Sequence, residues 1–192
     1  MLRLRNLSEN FIIKIIEKAA GRISQKMLED FLSAIETEIT KHYFTRSSES
    51  NLLRIILSQF DFAFFVNECL KYPNHFEILL AISINSNYLT DILVRNPEYF
   101  HWIINPSILE YKTDKKYFNQ TLDKSLSVYK SFESKVNVIR NFKRKEILRI
   151  GCKDIYLKQN ISKTTKQLSD LAEVISSELF ELCYSEILIK NN

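Results

Sequence analysis

Glycine is nearly absent from this chain. In 192 residues there are two, Gly21 and Gly151, and prolines number three, Pro73, Pro97 and Pro106. Tight hairpins need residues that tolerate positive φ, and a sheet needs many such turns. So few glycines argue against a β-rich fold and point to helices. The same scarcity removes whole enzyme classes. A P-loop needs glycines so that backbone amides can wrap a phosphate, and a dinucleotide fold needs them for the close approach to pyrophosphate. A GxSxG nucleophile elbow cannot be written here either.

Other shortages narrow the field further. The three cysteines, Cys69, Cys152 and Cys183, are far apart and form no CxxC pair, which fits reduced thiols in a cytosolic protein. His42, His75 and His101 stand alone, HExxH is missing, and no metal site is expected. No DxD pair offers sequence-adjacent carboxylates for Mg²⁺. The first residues carry charge but no apolar h-region follows, so a signal peptide is not expected. No apolar run approaches the roughly 20 residues of a membrane span; the longest, 76–84, contains Glu77 and Ser83. A soluble, cytoplasmic chain is the expectation. The net charge of +4 is modest and does not by itself imply nucleic acid.

What is present is helical periodicity. Hydrophobic residues make up 45% of the chain and charged residues 26%, ordinary for a globular protein. Phe11, Ile12, Ile15, Ile16 and Ala19 form one stripe, with Ser8 as N-cap and Gly21 as stop. Met27, Leu28, Phe31, Ile35 and Ile39 form a second over 24–44. A polar break is expected at 47–50, then helices over 52–60 and 61–72. Asn74 with Glu77 has capping-box spacing, Ser86 can cap a helix to Arg95, and Asn96-Pro97-Glu98 reads as a helix start. A loop at 105–112, a polar helix at 113–130, a basic helix at 132–152 and a connection at 153–162 lead to a long amphipathic helix at 164–190. Its stripe is Leu168, Leu171, Ala172, Ile175, Leu179 and Leu182. The expected fold is all-α, an irregular multi-helix bundle ending in that helix. It forms one helical domain, 1–192, with a possible sub-boundary near 105–115. The aromatic cluster Phe60, Phe62, Phe64 and Phe65, and Trp102, read as core.

One segment breaks the pattern. Arg140, Lys143, Arg144, Lys145, Arg149 and Lys153 crowd into about four turns. Projected at 100° per residue, Phe132, Val136, Ile139, Ile147 and Ile150 share a stripe, and Lys143 and Glu146 fall in its middle. As i, i+3 neighbours these two can pair. Either the pair lies at the stripe's rim with the lysine reaching water, or it is half-buried and fixes a neighbouring domain or faces a phosphate. Arg140, Lys143, Arg144, Glu146 and Arg149 are therefore the candidate functional or interface residues. No catalytic or metal residue is assigned.

The same segment, VIRNFKRKEILRIGCKD at 138–154, resembles the RxFxRRExLRIxxxD segment of the glutamine synthetase adenylyltransferases. SNYLTDILVRNPEYF at 86–100 is similar to that family's SxxLxDxLxRxPE helix pair, and LSDLA at 168–172 to its LSxLAD helix. These enzymes add AMP to glutamine synthetase and remove it, and so regulate nitrogen assimilation. The resemblance implies that the last helix leads into a nucleotidyltransferase core with a Gly-rich GKLGGxELNxxSDxDL motif, whose two aspartates bind the metal. No residue here matches them, so the chain is expected to be a catalytically inactive helical fragment of the half that removes AMP. No cofactor is expected in this chain; Mg²⁺ and ATP or AMP are implied for the full-length enzyme. The implied partners are the rest of the enzyme, glutamine synthetase and the PII signal protein. The alternative is a stand-alone helical protein-interaction module. Nucleic acid binding through the basic helix is a weaker third possibility.

Overall fold

The computed structural model describes residues 6–191. It is 79% helical, with eleven helices and no strand among the described residues. The chain divides into two compact units, Met1–Pro106 and Ser107–Asn192. No helix among the described residues is long and apolar enough to cross a membrane.

The first unit holds α1 (Glu9–Ala19), α2 (Gln25–Ile39), α3 (Arg46–Ser58), α4 (Phe62–Lys71), α5 (Pro73–Asn85), α6 (Asn87–Arg95) and α7 (Tyr99–Ile103). Ser8 caps α1 by accepting from the Phe11 amide, and Ser86 caps α6 by accepting from the Leu89 amide. Gly21 follows α1 at φ +70, a conformation L side chains rarely adopt. The core is aromatic. Phe31 meets Phe62, Phe65 and Phe76 edge-on, and Phe65 packs on Phe100. Such pairs add to the area each ring removes from water.

Several local expectations change. The polar stretch 47–50 is not a break but the first turns of α3, capped by Thr45. Ser47 and Ser50 stay exposed, but Ser48, Glu49 and the following Asn51 are buried, each with a partner. Glu49 accepts from the amide and hydroxyl of Ser8, at 3.0 and 2.5 Å. Asn51 donates to the Ser83 carbonyl and to Asn87. Asn74 caps nothing: α5 starts at Pro73, whose fixed φ suits the first turn. The Asn96 side chain donates to the Ile92 carbonyl and so closes α6 instead of opening α7. Of the four clustered phenylalanines, Phe62 and Phe65 are core, whereas Phe60 is 84% exposed and Phe64 46%.

The second unit contains α9 (Lys115–Leu126), α10 (Phe132–Ile155) and α11 (Ile161–Asn191); α8 (Pro106–Glu110) straddles the division. The loop expected at 105–112 is thus partly helical. Helices α9, α10 and α11 pack pairwise around Phe118, Leu122, Ile139, Phe142, Leu171 and Val174. Phe118 and Phe142 meet edge-on at 6.3 Å between ring centroids. On α11 the buried face differs from the expected stripe: Thr164, Gln167, Leu171, Val174 and Ile175 turn inward, while Leu168 is 41% exposed and Ala172 faces out.

Candidate functional site

Helix α10 starts at the Ser131 cap, which accepts from the Ser134 amide, and runs for 24 residues. Its inward face carries Ile139, Phe142, Glu146, Arg149, Ile150 and Lys153, spaced at three, four and seven residues. This corrects the expected stripe. Phe132, Val136 and Ile147 are only half-buried, and the helix is rolled so that Phe142 and three charged side chains face the bundle.

The five candidate residues therefore separate into two groups. Arg140 and Lys143 are exposed and Arg144 is half-buried. Arg140 donates to the Asn137 side-chain oxygen at 3.0 Å and Arg144 to that of Asn141 at 3.4 Å, both within the helix. Lys143 borders a shallow groove of about 190 Å³ whose other walls are largely apolar: Ile147, Leu168, Leu171 and Ile175. Glu146 and Arg149 go inside. Their ion pair is 3.2 Å long, with side chains 3% and 4% exposed. The expected Lys143–Glu146 pair does not form, because the roll of α10 takes Glu146 into the bundle and leaves Lys143 in water. Arg149 is the i, i+3 neighbour on the inward side.

A network surrounds the buried pair. The Arg149 guanidinium lies over the Tyr117 ring, 5.1 Å from its centroid, a cation–π contact sheltered from water. Lys153 donates to the Tyr111 carbonyl at 2.5 Å. Burial pushes the Glu146 carboxyl up to about 7, against the pull of Arg149, Lys153, the Tyr117 hydrogen bond and Lys145. One oxygen, Oε2, is buried without a hydrogen-bond partner among the described residues, so the ionised form is poorly solvated. Burial and the Arg149 charge lower the Lys153 ammonium, while Glu146 acts to raise it. Sequence reading placed Lys153 in the basic run but did not link it to Glu146; their seven-residue spacing was the available signal. Tyr117 and Tyr111 sit on other segments, and no local pattern marks them.

Beyond Lys153 the surface opens into a cleft of about 540 Å³, lined by the α8–α9 connection, the end of α10 and the start of α11. Its polar floor is internally bonded. Gln167 donates to the carbonyl and hydroxyl of Thr113, Gln159 donates to Gln167 and Thr164, and Thr164 donates to Asp154.

No group of three or more His, Cys, Asp or Glu side chains among the described residues is placed to hold a metal ion. Cys69 and Cys152 are buried, which raises both thiols, and Cys183 is exposed; all three are free.

None of the curated proteins matches the chain. The family model for glutamate-ammonia ligase adenylyltransferase matches residues 76–191, more than half the chain, from within α5 through the charged face of α10 to the end of α11. This chain belongs to the glutamate-ammonia ligase adenylyltransferase family.

Proposed function

We propose that this chain is the helical scaffold of a bifunctional cytoplasmic enzyme that adds AMP to glutamine synthetase and removes it, and that α10 and α11 seat the nucleotidyltransferase core. The observation that carries the reading is the family match over 76–191, which takes in the whole of α9 and α10.

The outer faces of these helices support it physically. Leu168 is 41% exposed beside the Lys143 groove, and farther along α11 Phe180, Ile187 and Ile189 are each more than half exposed. Apolar surface of this kind marks a contact face. On this reading, Arg140, Lys143 and Arg144 meet an acidic or phosphate-bearing surface of the core or of glutamine synthetase. Glu146 and Arg149 act from inside by fixing how α10 sits against α9. The core supplies the carboxylates for Mg²⁺ and the binding of ATP or AMP, and the PII protein reads the assembled enzyme.

The test is reconstitution. A separately produced nucleotidyltransferase core of the family is titrated with this chain, and binding and AMP release from adenylylated glutamine synthetase are both measured. Binding that Leu168→Asp and Ile187→Asp weaken about tenfold or more, with no AMP release by this chain alone, is the expected result. Metal-dependent release by the chain alone would overturn the scaffold reading. Absence of binding to any core would favour a stand-alone interaction module.

A further inference from the structure

We propose that the solvent face of α11 pairs with the same face of a second copy of this chain, the two helices running antiparallel about a two-fold axis level with Glu178. The pairing does not depend on the scaffold reading.

Helix α11 packs on α9 and α10 along one side, marked by Leu171, Val174 and Ile175. Projected at 100° per residue, Ser169, Ala172, Ser176, Phe180, Cys183 and Ile187 gather within an arc of about 80° on the side facing away from them. All six are exposed and none is charged, so covering them strands no ion. Their spacings of three and four residues keep a seam turned toward a partner helix. Tyr184 flanks the seam, its ring parallel to that of Phe180 with centroids 6.2 Å apart. The outer face of a surface helix is ordinarily polar; α11 keeps to that only over its first half.

The order of sizes along the seam names the occupant. The first half is small, with Ser169, Ala172 and Ser176, and the second half is large, with Phe180, Tyr184 and Ile187. Reversing the helix about the level of Glu178 lays Ile187 on Ser169 of the second copy and Phe180 on Ser176 of the second copy. Each large side chain then meets a shallow place, and each contact occurs twice, as a two-fold interface requires. Tyr184 comes level with Glu173 of the second copy, whose carboxylate can accept from its hydroxyl. A parallel pairing would set Phe180 on Phe180 and leave a gap between the small halves, which close packing penalises.

The area is enough for a reversible dimer. Phe180, Tyr184, Ile187 and Leu188 are 47–67% exposed, which at about 200 Å² per large side chain leaves roughly 400 Å² on each copy. Two copies with their small halves included reach about 1,000 Å², the lower bound of a specific interface. A nucleotidyltransferase core and a second copy would compete for Phe180 and Ile187, so the dimer is the form of the chain with no core bound.

The experiment uses the whole 192-residue chain in sedimentation equilibrium from about 1 to 200 µM. The expected result is a shift from one chain to two across that range, and Phe180→Glu should weaken it about tenfold or more. Ser176→Phe separates matched packing from general stickiness. It adds apolar area, yet it fills the place that receives Phe180, so association should weaken; strengthening would overturn the size-matching argument. Orientation is read from disulfides formed under mild oxidation with copper phenanthroline, since Cys69 and Cys152 are buried and Cys183 is exposed. In the antiparallel pair, Cys183 lies about 15 Å along the axis from its own counterpart, too far to bridge, but it comes beside position 172 of the second copy. Ala172→Cys should therefore yield a covalent dimer, and Ala172→Cys with Cys183→Ser should not. A covalent dimer from the second variant would show a parallel pair and refute the proposal. A strict monomer at about 200 µM, or association unchanged by Phe180→Glu, would refute it as well.

Discussion

Glu146→Gln should make this protein relatively more stable as pH rises, although it removes one charge of a buried ion pair. Burial pushes the folded-state carboxyl from its ordinary 4.5 up to about 7. A group raised in the folded state contributes stability that is fully present below its unfolded pKa and is lost as pH climbs through the folded one. Wild type should therefore lose about 3 kcal/mol between those two values from this site alone. Glutamine matches the protonated side chain in shape and still accepts from Arg149 and Tyr117, but it does not titrate. Near pH 4.5 the two proteins should unfold within about 1 kcal/mol of each other. Near pH 8 the variant should be ahead by roughly 2–3 kcal/mol. Urea unfolding followed by circular dichroism across this range gives the difference directly, and most other titrating groups cancel because the sequences differ at one position. Arg149, Lys153, Tyr117 and Lys145 face Glu146 and are the same in both proteins. A flat difference, or wild type gaining on the variant with rising pH, would show that Arg149 and Lys153 hold the carboxylate charged and that the burial argument fails.

Other consequences are simpler to read. A double-mutant cycle between Lys143 and Glu146 should give coupling under about 0.5 kcal/mol, while the Arg149–Glu146 cycle should exceed about 1.5 kcal/mol; equal couplings would contradict the roll of α10. Phe142→Ala should cost about 3 kcal/mol or more in urea unfolding, since it leaves a void between α9, α10 and α11. Burial, Asp123 and Glu181 raise the Glu178 carboxyl, so the stability linked to it fades as pH rises. Asp123→Asn should then recover under about 1 kcal/mol at neutral pH and none near pH 4, read from melting temperatures. The exposed Phe180, Ile187 and Ile189 should drive self-association at high concentration that Ile187→Asp suppresses; sedimentation showing a strict monomer for the parent chain would contradict this.

The helices themselves were legible locally, because their determinants are local. Ser8 and Ser86 cap where a hydroxyl precedes an apolar period, Gly21 ends α1, and only two glycines argue against a sheet with many tight turns. The family was legible because its motifs are contiguous strings on single helices. The facing of α10 was not. Hydrophobicity alone centred its stripe on Lys143 and Glu146, whereas packing turns Lys143 out to water and brings Phe142, Arg149 and Lys153 inside with Glu146. The difference comes from partners distant in sequence. Tyr117 and Tyr111 make it affordable to bury Glu146, Arg149 and Lys153, and nothing within α10 records their positions. The start of α3 behaves in the same way: Ser8 and Ser83 supply the partners that let Glu49 and Asn51 go inside. A chain's own letters thus determine where its helices form. Which polar side chains enter the core depends on hydrogen-bond partners that only the folded arrangement brings within reach, since an unpartnered buried charge costs more than its helix can supply.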